Sequence, residues 1–308
     1  VYAANHMQMM MGHTGDRILV NGLANHVEEI ANSAYRIRIF NGSNARFYKL
    51  AWNDGRPMKA IGTDGGLLEQ PVDKPYVMLA PAERIELYLD LSDTQVGDNI
   101  ILQSLAFEGG MMMGMGGMGR GRGMMGMNQG GLANGAPFDI LRLQVARQSQ
   151  RQHQLPSRLS TINWPDVSDA VNQNSPRQIR LQMGRGRVAL NNRTFEMMDV
   201  ANDEKVKLNS TEVWEFNNDN AHMAHPMHVH NIQFKVIERQ RNNRLRNIHD
   251  SMSEGLVDEG WKDVVIVMPG ERVKVLLRFS LYTGLYLYHC HILEHEDLGM
   301  MRNYLIEG

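Results

Sequence analysis

Cysteine is almost missing from this chain: there is one, Cys290, in 308 residues. An internal disulfide is therefore excluded. Charge is modest and balanced, at 21% charged residues and a net −2, which gives no footing for nucleic acid or an anionic membrane surface. No apolar run approaches the roughly 20 residues that cross a bilayer. The chain begins at Val1, with neither an initiator methionine nor a signal peptide, so it is expected to be a mature product or a fragment. Its length suggests about two domains, and 43% hydrophobic residues can fill ordinary cores.

Two residue types are in excess. There are 23 methionines, many of them clustered, and 12 histidines. Half of the histidines fall in two short motifs, His225-Pro-Met-His-Val-His230 and Tyr288-His-Cys-His-Ile-Leu-Glu-His-Glu-Asp-Leu-Gly-Met300.

Short β-type runs separated by turn residues fill most of the chain. The first set is Arg17–Asn21, Tyr35–Asn41, Arg46–Trp52, Lys59–Gly62, Tyr76–Leu79, Arg84–Leu91, Asn99–Leu105 and Phe138–Val145. The second is Arg177–Met183, Lys205–Leu208, Glu212–Asn217, His228–Glu238, Asp263–Val267, Arg272–Arg278, Leu285–Cys290 and Met301–Ile306. Such punctuation predicts an all-β fold of two sandwiches. Residues 1–16 show no periodicity. A Met/Gly-rich insert, 109–134, is too rich in glycine for a helix or core strand. The polar stretch 147–176 reads as a surface linker. The expected domains are 1–146, carrying the insert, and 177–308.

Side chains on a strand alternate faces. His228 and His230 share one face, and His225 lies across an expected turn at Pro226. His289 and His291 share a face that Cys290 opposes. One self-consistent arrangement puts His225, Cys290 and His295 around one metal, with Met300 as a long axial ligand. A thiolate, two imidazoles and a thioether are the ligands of a blue electron-transfer copper. The remaining imidazoles, His228, His230, His289 and His291, converge elsewhere. Zinc also takes Cys and His, but it gives no reason for Met300 or for histidines on both sides of the cysteine.

These two motifs resemble the last domain of the multicopper oxidases, the family of laccases and bacterial copper-efflux cuprous oxidases. Gly15–Gly22, Asn41–Arg46, Asp64–Leu68 and Leu79–Arg84 resemble that family's middle domain, and Gly260-Trp-Lys-Asp263 resembles a segment between the copper motifs. The resemblance implies cupredoxin-like Greek-key sandwiches. It also implies a type 1 copper on His225, Cys290, His295 and Met300, a type 2 copper on His228, and a type 3 pair on His230, His289 and His291. Glu296 matches a position tied to proton delivery, or is a solvated acid beside Asp297.

Three-domain members carry eight histidines at their trinuclear cluster, four of them from HxH motifs in a first domain. This chain has no further HxH. A missing first domain, cleaved or on a separate chain, is the expectation. The implied reaction is oxidation of Cu(I) or a phenol coupled to reduction of O2 to water, in a periplasmic or secreted enzyme. Met111, Met112, Met113, Met115 and Met118 in the insert, and Met223 before His225, are candidate ligands for substrate Cu(I). Thioethers favour that soft ion, although methionine also fills apolar gaps. Met7, Met9, Met10 and Met11 with His6 and His13 form a second cluster open to either reading. Alternative functions are a non-catalytic copper-binding scaffold in copper tolerance and a copper nitrite reductase, for which four extra histidines are surplus.

Overall fold

The computed structural model describes residues 5–108, 132–150, 153–184, 187–219 and 223–308. The first part of the chain runs through β1 (Leu19–Val20), β2 (Leu23–Ala24), β3 (Val27–Ala31), β4 (Ala34–Phe40), β5 (Tyr48–Trp52), β6 (Met58–Thr63), β7 (Gly66–Lys74), β8 (Val77–Leu79), β9 (Arg84–Asp90), β10 (Asn99–Ser104) and β11 (Phe138–Arg147). The second supplies β12 (Arg177–Gly184), β13 (Arg187–Leu190), β14 (Lys205–Lys207), β15 (Thr211–Asn217), β16 (His225–Val229), β17 (Phe234–Arg241), β18 (Val264–Val267), β19 (Glu271–Arg278), β20 (Gly284–Cys290) and β21 (Met301–Glu307). Short helices α1 (His6–Met11), α2 (Arg246–Met252) and α3 (Leu293–Asp297) accompany them.

Alternation explains the half-covered strands. In β9 the apolar Ile85, Leu87 and Leu89 are buried while Glu86 and Tyr88 between them are less so. β18 is different, for Val264, Val265, Ile266 and Val267 are all buried, as in a strand covered on both faces. Among the described residues the first part forms sheets β3-β11-β10-β5-β8 and β4-β9-β6-β7 beside the small β1-β2 pair. The second forms β13-β12-β15-β19-β17 and β14-β21-β20-β16-β18, and no described sheet mixes the two parts. The fold is all-β, as expected. One apolar cluster, with Trp52, Leu87 and Leu102, fills the first part. A larger one holds Trp214, Met227, Cys290 and Tyr304, and also takes in Phe47, Tyr76, Met78 and Phe107 from the first part. The two parts therefore share an apolar seam.

Several expectations need correction. Residues 6–11 are helical, because Asn5 and Gln8 form a reciprocal capping box that satisfies the first turn. The run His228–Glu238 is not one strand; β16 and β17 are separated by a turn in which Asn231 takes φ 69°. Pro226 makes no turn either and sits inside β16, where its carbonyl accepts the His291 N–H at 2.7 Å. His225 and His228 face opposite ways simply because they are an odd number of residues apart. β3, β7, β13 and the helices α2 and α3 lacked a sufficient alternation or periodicity signal. The insert's methionines lie outside the described residues.

Candidate metal centre

The pairing of β16 with β20 builds the centre. Met227 stands opposite Cys290, and His228 opposite His289. Cross-strand partners share a face, so His225, Met227 and Cys290 look into the sandwich while His228, His230, His289 and His291 look out of it. α3 then returns His295 to the inner face.

On that inner face His225 Nδ1 lies 3.5 Å from Cys290 Sγ and His295 Nδ1 lies 3.7 Å from it. All three residues are fully buried, and their ligand atoms fall within 4.8 Å of one another. The Ile292 N–H also points at the sulfur, at 3.5 Å. Met300 is fully buried. Its carbonyl accepts from the Cys290 N–H at 3.0 Å and its own N–H donates to His295 O at 2.8 Å, which ties it to both ligand segments. His295 Nε2 donates to Met10 O at 3.1 Å. That leaves Nδ1 unprotonated and facing the sulfur.

Burial pushes the Cys290 thiol up, the Ile292 N–H offsets only part of this, and Glu296 adds to it. Burial likewise holds His225 far below the usual histidine range, with His295 adding to it. Buried His225 Nε2 has no hydrogen-bond partner. A buried thiol and two neutral imidazoles aimed at one point fit a soft cation, which would reverse the penalty on the thiolate.

On the outer face His228, His230 and His289 offer ligand nitrogens within 4.8 Å of one another. His230 Nε2 and His289 Nε2 approach to 3.1 Å. The His291 ring lies 5.3 Å from that of His289 and 5.8 Å from that of His228. His228 Nδ1 donates to Asp263 O at 2.7 Å and His289 Nδ1 to Cys290 O at 3.0 Å. Both rings thereby present Nε2 to the common space, which suits a metal. Glu296 Oε2 lies 3.5 Å from His289 Nδ1. Burial, then Asp297, raises this carboxyl above its usual range.

Burial lowers the pKa of His225, His230, His289, His291 and His295 from 6.5, for His289 to about 3. The unfolded chain takes up protons near 6.5 that the folded, copper-free protein refuses. Stability is therefore complete above that value and falls as pH drops below it, with His289 contributing down to about 3. The urea midpoint of copper-free protein is expected to be lower at pH 5 than at pH 7.5; equal midpoints would contradict the burial of these rings.

The candidate Cu(I) ligands fare unevenly. Met223 is buried in the core cluster that holds Cys290, so its sulfur is not a surface ligand in this conformation. Asp219, the acid four residues before Met223, is engaged by Arg272 at 2.8 Å. Met111, Met112, Met113, Met115 and Met118 lie outside the described residues. By contrast α1 packs on α3 beside His295, and Met10 packs against the core. Gly12, ending α1 at φ 83°, leaves room that a side chain would deny, since an added Cβ would meet Ala45 Cβ at 2.2 Å. The Met10 contact uses a backbone carbonyl, which no side-chain pattern announces.

A family model described as "Multicopper oxidase" matches residues 164–308. The laccase of Bacillus subtilis (strain 168) is 32% identical over 301 residues, covering 94% of this chain and 54% of that protein. The chain belongs to the multicopper oxidase family. The bilirubin oxidase of Albifimbria verrucaria is another similar member, 30% identical over 93% of the chain and 47% of that protein. The solved structure of McoA multicopper oxidase from the hyperthermophile Aquifex aeolicus superposes at a TM-score of 0.79, with 33% identity over 99% of the chain and 62% of that structure. The chain thus spans about half the length of the curated multicopper oxidases it matches. Members of this family use copper, and the Cys290 site has the donor set for it.

Proposed function

We propose that the chain forms the middle and last cupredoxin domains of a multicopper oxidase, 1–146 and 177–308, joined by a linker at 147–176. The enzyme takes electrons singly from Cu(I) or a phenolic reductant and reduces dioxygen to water. The β16–β20 register carries this reading. It sets Cys290 in one donor group and its covalent neighbours His289 and His291 in the other, so a single peptide segment joins the point of electron uptake to the point of delivery.

Copper, when bound, supplies the one-electron redox chemistry. His225, Cys290 and His295 with Met300 hold the type 1 ion in a dry pocket, His228 the type 2 ion, and His230, His289 and His291 the type 3 pair. Glu296, half-buried and beside His289, holds a proton closer to neutral pH than an ordinary glutamate and passes it inward. Four imidazoles are half of the family's cluster; the other half comes from a further cupredoxin domain, on this polypeptide or another. Copper handling in the periplasm or outside the cell is the setting that fits. The α1 segment packs on α3, which carries His295, and its methionines Met7, Met9 and Met11 are soft donors that suit Cu(I) as the reductant.

The copper-loaded 308-residue chain is expected to be bleached by Cu(I) or a phenol without sustained dioxygen uptake, and to gain uptake when joined to the rest of a full-length member. A blue protein that no reductant bleaches defeats the proposal, and steady dioxygen uptake by the chain alone defeats the need for another domain. Changing Met7, Met9 and Met11 to leucine should slow bleaching by Cu(I) more than by phenol. Equal slowing removes the cuprous reading.

A further inference from the structure

His228 is held from outside its own strand. Its Nδ1 donates to the carbonyl of Asp263, the residue just before β18, at 2.7 Å. The first part of the chain, which supplies none of the converging imidazoles, grips that peptide from two sides. Arg84 forks onto the Asp263 carboxylate, with Nη1 2.6 Å from Oδ1 and Nη2 2.6 Å from Oδ2. Asp64 Oδ2 accepts the backbone N–H groups of Asp263 and Val264, each at 3.2 Å. Arg84 and Asp64 are themselves joined: the Arg84 N–H donates to Asp64 Oδ1 at 2.8 Å, and Arg84 Nη2 donates to Asp64 O at 3.0 Å.

The approach is close on both sides. A Cβ on Gly65 would meet Trp261 Cβ at 2.3 Å, and one on Gly260 would meet Thr63 Oγ1 at 2.2 Å. Gly65 N–H and Thr63 Oγ1 both donate to Trp261 O, at 2.8 and 2.9 Å. The Asp263 peptide therefore has little freedom to move. A bidentate guanidinium–carboxylate pair fixes direction as well as distance.

We propose that Arg84 and Asp64 are positioning residues for His228. They lock the Asp263 carbonyl that holds the His228 Nδ1–H, and so aim Nε2 at the space shared with His230 and His289. The half of the protein that supplies none of the converging imidazoles thereby sets the affinity and geometry of the outer-face metal site. This rests on the proposed ligand role of His228, not on the identity of the reductant.

The test is a copper titration of the chain and three variants, Arg84→Met, Arg84→Lys and Lys74→Met. The last removes a different ion pair between the same two parts, Lys74 with Glu259 at 2.9 Å, and leaves the Asp263 peptide alone. Blue absorbance reports the Cys290 site and confirms folding. Competition with a chelator and the electron paramagnetic resonance signal of non-blue copper report the outer-face site. Loss of such a supporting contact weakens metal binding by about 10–100-fold. Arg84→Met should show that loss and an altered non-blue signal with full blue absorbance, Arg84→Lys a smaller loss, and Lys74→Met none. Unchanged affinity in Arg84→Met overturns the proposal, and so does an equal loss in Lys74→Met, which would mean general loosening between the parts. Wild-type protein with no copper beyond the blue ion would overturn the ligand role of His228 first, and this inference with it.

Discussion

Cys290→Ser is expected to abolish the blue colour of the copper-loaded protein while leaving the fold intact. The colour of such a site comes from thiolate-to-copper charge transfer, and this is the only sulfur of its kind in the sequence. Serine is smaller and polar but nearly the same shape, and the pocket around Sγ offers the Ile292 N–H as a partner. Burying a poorly paired hydroxyl costs about 1–3 kcal/mol, which a sandwich of this size can absorb. Visible absorption read beside a denaturation curve separates the two effects. A blue serine variant, or a colourless but folded and copper-loaded wild type, would end the assignment of Cys290 as the type 1 ligand. Bleaching by reductants should vanish along with the band.

Arg302→Ala is expected to lower stability by about 3–5 kcal/mol, the usual effect of breaking a buried ion pair from one side. Arg302 is 1% exposed and Glu204 3%. Its Nε and Nη2 reach the two Glu204 oxygens, each at 2.7 Å, while Nη1 donates to Thr194 O and Nη2 to Asp199, both at 2.8 Å. Removing the guanidinium leaves the buried Glu204 carboxylate with the Tyr288 hydroxyl at 3.0 Å, the Ala201 N–H at 2.7 Å and the more distant Arg193 guanidinium at 3.8 Å. Replacing both Arg302 and Glu204 by methionine should recover most of the loss, because two apolar side chains leave no stranded charge. A denaturant midpoint in Arg302→Ala close to wild type would contradict the tight pairing. The effect bears on function because β21 is the strand that supports β20: Met301 pairs with His289, and Arg302 with Tyr288.

The parts of the centre legible in the sequence were those set by parity and residue type. Cys290 facing away from His289 and His291 needed only strand alternation, and the structure keeps it. The grouping of His225 with Cys290 and His295 needed only donor chemistry, and those atoms meet. Pro226 misled, because proline is rare inside a sheet; here it still contributes a carbonyl to His291. α1 was not legible from periodicity, since its six residues are too few to show one and a capping box starts it. The support of His228 was also hidden. Gly260-Trp-Lys-Asp263 stood out as a segment, but the contact to His228 is a backbone carbonyl, and Arg84 and Asp64 come from nearly two hundred residues away in sequence.

The β16–β20 register has a temporal consequence. His225 and Cys290 are separated by 65 positions, so no ligand pair spanning the two strands exists until a long loop has closed. Closing such a loop is slow compared with forming local structure. Before the strands pair, the segment around Cys290, from His289 to His295, offers its donors on both faces and lacks His225. Correct loading must wait for the sandwich to close, and the ion must then reach a pocket whose three donors are fully buried. Copper added to the refolding chain is therefore expected to give the blue band only as the sandwich closes, not before.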